Sequence, residues 1–111
     1  MTQTLRRFER SLPMALMRAR EAVMREFRPR LAAHELTEQQ WRVLRALSAF
    51  EKPLTTRELS EMTFLLGPSL SRITANLSER GWVRRSPHPT DQRSNLLNLT
   101  KLGETLVSQV A

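Results

Sequence analysis

Residues 67–81 read GPSLSRITANLSERG, and residues 82–100 follow directly as WVRRSPHPTDQRSNLLNLT. Pro68 suits the opening of a helix, because the N–H it lacks would find no partner there. Gly81 stands where a helix of this length would end in a left-handed residue. Between them Leu70, Ile73 and Leu77 recur at i, i+3 and i+7, one apolar stripe. At about 100° per residue, Ser69, Arg72, Ala75, Asn76 and Glu79 fall on the opposite side. That outer surface is short, polar and adaptable, as a helix lying in a major groove requires. Trp82-Val83 and Leu96-Leu97-Asn98-Leu99 then flank a turn-rich segment, Ser86 to Asp91, the pattern of a hairpin with a long tip. A capped helix followed at once by a basic hairpin predicts a winged helix-turn-helix, a mainly α fold with a small β-hairpin (α+β).

Working upstream, Thr55-Thr56-Arg57-Glu58 contains a capping box, Thr55 to Glu58, opening a short helix with Leu59 and Met62 inward. Leu65-Leu66-Gly67 is the right length for the turn of a helix-turn-helix, which spans about residues 57–81, with the wing at about 82–99. Leu54 is expected to lend a residue or two of edge strand. Thr37-Glu38-Gln39-Gln40 is a second box, and Trp41, Leu44 and Leu47 trace the inner face of a helix ending near Phe50. Ser11, followed by Pro13, caps an earlier helix over about 11–33, with Leu16, Val23, Phe27 and Leu31 on its apolar face and Pro29 expected to kink or divide it. Leu5 and Phe8, in the polar first ten residues, belong to a frayed extension or to an arm packing on a partner. Downstream, Thr100 caps a helix from 101, and Leu102, Leu106 and Val110 repeat at i, i+4, i+8 until the sequence stops. Either that stripe packs on another subunit or the natural chain continues; the second is favoured.

With 111 residues, the expectation is one domain. The formal net charge is +7, and every cation except Lys52 and Lys101 is arginine, whose planar fork suits phosphates and base edges. A polyanionic partner is implied; no apolar run approaches the roughly 18 residues of a membrane span. Cysteine is absent and there are two histidines, His34 and His88, far apart, so neither a disulfide nor a metal site or cofactor is expected. No secretory signal is visible, and a cytoplasmic location follows as the default. There are no paired carboxylates around a cleft, no activated Ser or Cys and no glycine-rich phosphate loop, which argues against an enzyme.

In a helix-turn-helix the second helix enters the major groove with its N-terminal residues at base edges. Ser69, Ser71 and Arg72 are therefore the first candidates and Asn76 the second, with Arg72 forking to a guanine and Asn76 to an adenine. On the hairpin, Arg84, Arg85 and Arg93 surround the tip; such arginines can enter a narrow minor groove or hold phosphates. Asp91, two residues before Arg93, shares its face and is expected to brace a wing arginine rather than meet DNA. The competing reading is a winged-helix module that binds protein.

Asp91-Gln92-Arg93, followed by Asn98-Leu99-Thr100 and Gly103, resembles the D-x-R…LT..G wing signature of the MarR family of bacterial transcription regulators. Leu36-Thr37, Gln40-Trp41, Leu59-Ser60, Arg72 and Gly81-Trp82-Val83 fall where that family has its equivalents. Ala19-Arg20-Glu21-Ala22, Phe27-Arg28-Pro29 and Leu36 to Arg42 look closer still to one subgroup, the repressors of homoprotocatechuate (4-hydroxyphenylacetate) degradation. The resemblance spans roughly residues 12 to 110, and family members usually carry further helices after the wing that form much of a dimer interface. It implies a homodimer on double-stranded, pseudo-palindromic operator DNA, the recognition helices about one helical turn, ~34 Å, apart. It also implies release by a small aromatic acid. Arg20 is then either a clamp for the ligand's carboxylate or half of a structural ion pair. Trp41 and Arg42 either line the same cleft or, in the case of Trp41, simply pack in the core.

Overall fold

A computed structural model describes residues 10–111. Leu5 and Phe8 lie outside the described residues. The elements are α1 (Leu12–Ala33), α2 (Glu38–Ser48), β1 (Leu54–Thr55), α3 (Thr56–Thr63), α4 (Gly67–Glu79), β2 (Val83–Pro87), β3 (Asn95–Leu99) and α5 (Lys101–Val110). They group into two compact units, one ending at Glu35 and the other running from Leu36 to Ala111.

The first unit is dominated by α1. Ser11 caps it by accepting from the Met14 N–H, and the helix continues through Pro29 to Ala33 without being divided. Pro29 removes one backbone bond, but its fixed φ is already helical and only one turn follows. Leu12, Leu16, Met17 and Val23 are exposed.

The second unit is built around α2, which packs against α3, α4, α5 and β3. Both expected capping boxes form: Thr37 and Gln40 satisfy each other's backbone N–H groups, as do Thr55 and Glu58. The Thr55 backbone N–H, with the Thr55 side chain behind it, holds the Glu58 carboxyl below the ordinary glutamate range. α2 ends at Ser48, two residues short of Phe50, and Phe50 is exposed. The anticipated edge strand exists. The antiparallel sheet has the order β1-β3-β2, with Leu54 opposite Leu97 and Val83 opposite Leu99. Pro87 is tolerated because β2 is an edge strand with no ladder to complete on its outer side.

α5 differs from its expected face. Leu106, Val107 and Val110 are buried with Gly103, and Leu102 is exposed. A Cβ on Gly103 would collide with the Trp82 carbonyl. The glycine lets α5 lie against that backbone, which turns the inner face to the 103, 106, 107, 110 set. Leu31, Val43, Leu44, Leu59, Leu70, Leu77 and Leu97 are at most 2% exposed, and among the described residues no buried side-chain polar atom lacks a hydrogen bond.

Candidate DNA-binding surface and effector cavity

α4 presents the polar surface that its spacing predicts. Leu70, Thr74 and Leu77 are buried, Ile73 is half-buried, and Ser71, Arg72, Ala75 and Glu79 are exposed. Ser69 and Asn76 are half-buried. Gly81 takes φ 81°, the left-handed end expected of it. The turn before α4 is Phe64 to Leu66, one residue earlier than its expected place. Phe64 is left-handed (φ 59°) and 89% exposed.

Three polar side chains from other elements fix this helix and turn. Gln40 on α2 accepts the Thr37 N–H at 2.9 Å through Oε1 and donates from Nε2 to Asn76 Oδ1 at 3.2 Å. Asn76 therefore already uses one acceptor lone pair inside the fold, so a two-point pairing with adenine has to share that oxygen. Arg42 donates to the Thr63 carbonyl at 2.9 Å and reaches Glu38 Oε1 at 3.4 Å, so its guanidinium closes the end of α3. Ser60 donates to the Leu65 carbonyl at 2.7 Å.

On the wing, Arg84 and Arg93 are exposed, and among the described residues neither guanidinium, nor that of Arg72, meets another side chain. Arg85 is exposed too, but it donates to Thr74 Oγ1 on α4 at 3.1 Å. Asp91 accepts the Arg93 N–H at 3.0 Å on Oδ1, a contact with the backbone rather than with a wing guanidinium. His88 Nδ1 accepts the Thr90 and Asp91 N–H groups at 3.2 and 3.0 Å, which ties down the tip.

Of the expected effector groups, Trp41 is 9% exposed and belongs to the core of the second unit. Arg20, on α1, lies 3.4 Å from Glu21, whose carboxylate also takes two bonds from Arg28 at 3.1 and 3.0 Å. A cavity of about 420 Å³ opens between the end of α2, β3 and α5, with Arg45, Ser48, Phe50, Glu51, Asn98 and Glu104 among its walls. Its size is that of a small-molecule site. Among the described residues no group of histidines and carboxylates could hold a metal ion. The bond of Gln40 to Asn76 and the places of Arg45 and His88 are not supplied by the sequence. A position one turn after Trp41 on the same helix is a usable signal for Arg45; the Gln40–Asn76 bond joins residues 36 apart, which no spacing announces.

A MarR family model matches residues 34–94, more than half of the chain. The chain is 41% identical over 100 residues to the homoprotocatechuate degradative operon repressor of Escherichia coli, covering 89% of this chain and 66% of that one. The structure of NadR in complex with 4-hydroxyphenylacetate superposes with a TM-score of 0.84 at 38% identity, covering 90% of this chain and 70% of that one. The repressor CouR bound to a 23-mer DNA duplex superposes with a TM-score of 0.80 at 29% identity, covering 94% and 72%. The winged helix-turn-helix expected from the sequence is the fold these regulators have. The chain spans about two thirds of the length of the curated repressor it matches, and it belongs to the MarR family.

Proposed function

We propose that this chain supplies the DNA-binding lobe of a cytoplasmic transcription regulator, not an enzyme, that represses genes of aromatic-acid catabolism. The observation that carries the reading is the set Arg72, Arg84 and Arg93. These arginines stand exposed on α4 and the wing of one compact unit, with no side-chain partner among the described residues to neutralise them. Ser69 and Ser71 accompany Arg72 at the base-reading end of α4, and Asn76 contributes what its bond to Gln40 leaves. The net charge of +7 adds a salt-dependent attraction to phosphate. A homodimer on a pseudo-palindromic operator is the working form, and the exposed Leu12, Leu16, Met17 and Val23 of α1 supply apolar surface for a second copy.

Release follows when a small phenolic or aromatic carboxylate binds one of two states better than the other. A coupling of about 1–3 kcal/mol weakens DNA binding roughly 5- to 150-fold. The NadR complex supports 4-hydroxyphenylacetate as the first acid to try. Arg20 is the proposed clamp for its carboxylate, and Arg45 in the α2–α5 cavity is the alternative cation.

Duplexes selected from a random library test the reading. Their affinity should drop steeply between about 50 and 200 mM salt and drop again on adding 4-hydroxyphenylacetate or a related acid. Binding indifferent to salt would favour the protein-binding module instead. Arg20→Ala should abolish the response to the acid and leave DNA binding; a normal response in that variant, lost in Arg45→Ala, moves the clamp to the cavity.

A further inference from the structure

The three wing arginines, Arg84, Arg85 and Arg93, are not equivalent, and the strand pairing separates Arg85 from Arg84. Val83 is buried, so by the two-residue alternation of a strand the Arg85 side chain leaves β2 on the same side, although Arg85 as a whole is exposed. Its cross-strand partner is Leu97, itself 1% exposed. Arg84 falls on the other side of the ribbon. α4 packs on β2, and the Arg85 guanidinium reaches Thr74 Oγ1 at 3.1 Å. Thr74 is 2% exposed, and its hydroxyl donates onward to the Ser71 carbonyl at 3.2 Å. The result is a chain of two hydrogen bonds, from strand to buried hydroxyl to the turn of α4 that carries Ser71 and Arg72.

We infer that Arg85 is a positioning residue: through Thr74 it sets the angle between the wing and the recognition helix, and it does not contact DNA. The inference rests on the DNA-binding reading above. Arg85 is itself exposed, so it is the bond of its fork to a hydroxyl in the core, rather than burial, that ties it to α4 and turns it from a phosphate. Holding the wing at one angle matters because Arg72 and Arg84 or Arg93 have to meet one duplex at the same time, in different grooves. With the bond gone the wing still has its ladder to β3, so the arginines remain but the ensemble of wing angles broadens.

The salt dependence of binding distinguishes positioning from contact, because each phosphate contact contributes about 0.9 to the slope of log affinity against log salt. Using the purified protein and a duplex selected from a random library, Arg85→Ala should weaken binding roughly 3- to 10-fold, the range expected for one such hydrogen bond, with the slope unchanged. Thr74→Val removes the hydroxyl at nearly constant volume and no charge; it should produce a similar loss, and the double variant should be no weaker than either single one. Arg84→Ala, in contrast, should lower the slope. Two results overturn the inference alone: a slope smaller by about one in Arg85→Ala with a normal wild-type slope, or wild-type affinity in Thr74→Val. Loss of the salt dependence in the wild-type protein would remove the DNA reading itself, and this inference with it.

Discussion

α4 and the tip of the wing, the two parts proposed to turn arginines toward one polyanion, are held in opposite ways. α4 is anchored by residues far apart in sequence. Leu70 and Leu77 are 0% exposed, Gln40 bonds to Asn76 and Arg85 bonds to Thr74. The tip is anchored by its own neighbours: His88 takes the Thr90 and Asp91 N–H groups, and Asp91 takes that of Arg93. A group that reads base edges needs a fixed distance and angle, which only long-range packing supplies. A group that meets phosphate or a narrow groove needs charge more than angle, and a locally tied loop can adjust to the backbone it finds. Damage to the helix should therefore unfold the unit, whereas damage to the tip should weaken binding and leave the fold.

Leu77→Ala tests the first half and has the largest expected effect. A fully buried leucine truncated in a packed core loses about 2–5 kcal/mol of stability, so the urea midpoint of unfolding should fall sharply and DNA binding with it. A loss under about 1 kcal/mol would mean that α4 is not held by the core beneath it. Arg93→Ala tests the second half. Operator affinity should fall at least tenfold, about 1.4 kcal/mol, and the salt slope by about 0.9, with the unfolding midpoint where it was. Unchanged affinity would remove the wing from the mechanism. His88→Ala is milder, since it takes away an acceptor for two exposed N–H groups but no charge from the groove. It should cost less affinity than Arg93→Ala and leave the salt slope alone. A loss larger than that of Arg93→Ala would make the tip's shape, rather than its charge, the decisive property.

The same division governs what could be read from the sequence. Features settled within a few residues were legible: the Thr37–Gln40 and Thr55–Glu58 boxes, the Thr100 cap, the left-handed Gly81 and the hairpin between Val83 and Leu99. Features that depend on a distant neighbour were not. Leu102 matched the apolar spacing of α5 as well as Val107 does, and only the Trp82 carbonyl beside Gly103 decides between the two faces. The sequence places Asn76 at a base edge and Arg42 in a ligand cleft, while the partners that hold them lie far off: Gln40 is 36 residues from Asn76, and Thr63, which Arg42 engages besides Glu38, is 21 from Arg42. Arg85 is the instructive case. Exposure and charge group it with Arg84 and Arg93, and only its bond to Thr74, 11 residues away, sets it apart. Among the site residues, Ser71, Arg72, Arg84, Arg85 and Arg93 are exposed, and Ser69 and Asn76 are half-buried.

The smallest expected effect concerns the support of α4 rather than α4 itself. α3 packs on α4, and its first turn is closed by the Thr55–Glu58 box, where the carboxylate accepts the Thr55 N–H at 3.0 Å. That bond, followed by the one from the Thr55 side chain, lowers the Glu58 pKa in the folded state. A depressed folded value means that the stabilisation is complete above the unfolded value of about 4.3 and disappears as pH falls through the folded one. Glu58 is solvent-exposed, so screening keeps the contribution small. Thermal unfolding of the wild-type protein and of Glu58→Gln, followed from about pH 6 to pH 3, should show the wild type ahead at the upper end and the two converging at the lower end. A gap that stays constant across that range would mean the carboxylate's charge contributes nothing and the box acts only as a neutral cap. Convergence would place an acid-sensitive joint on the helix side of the molecule, beneath the element that most needs a fixed angle.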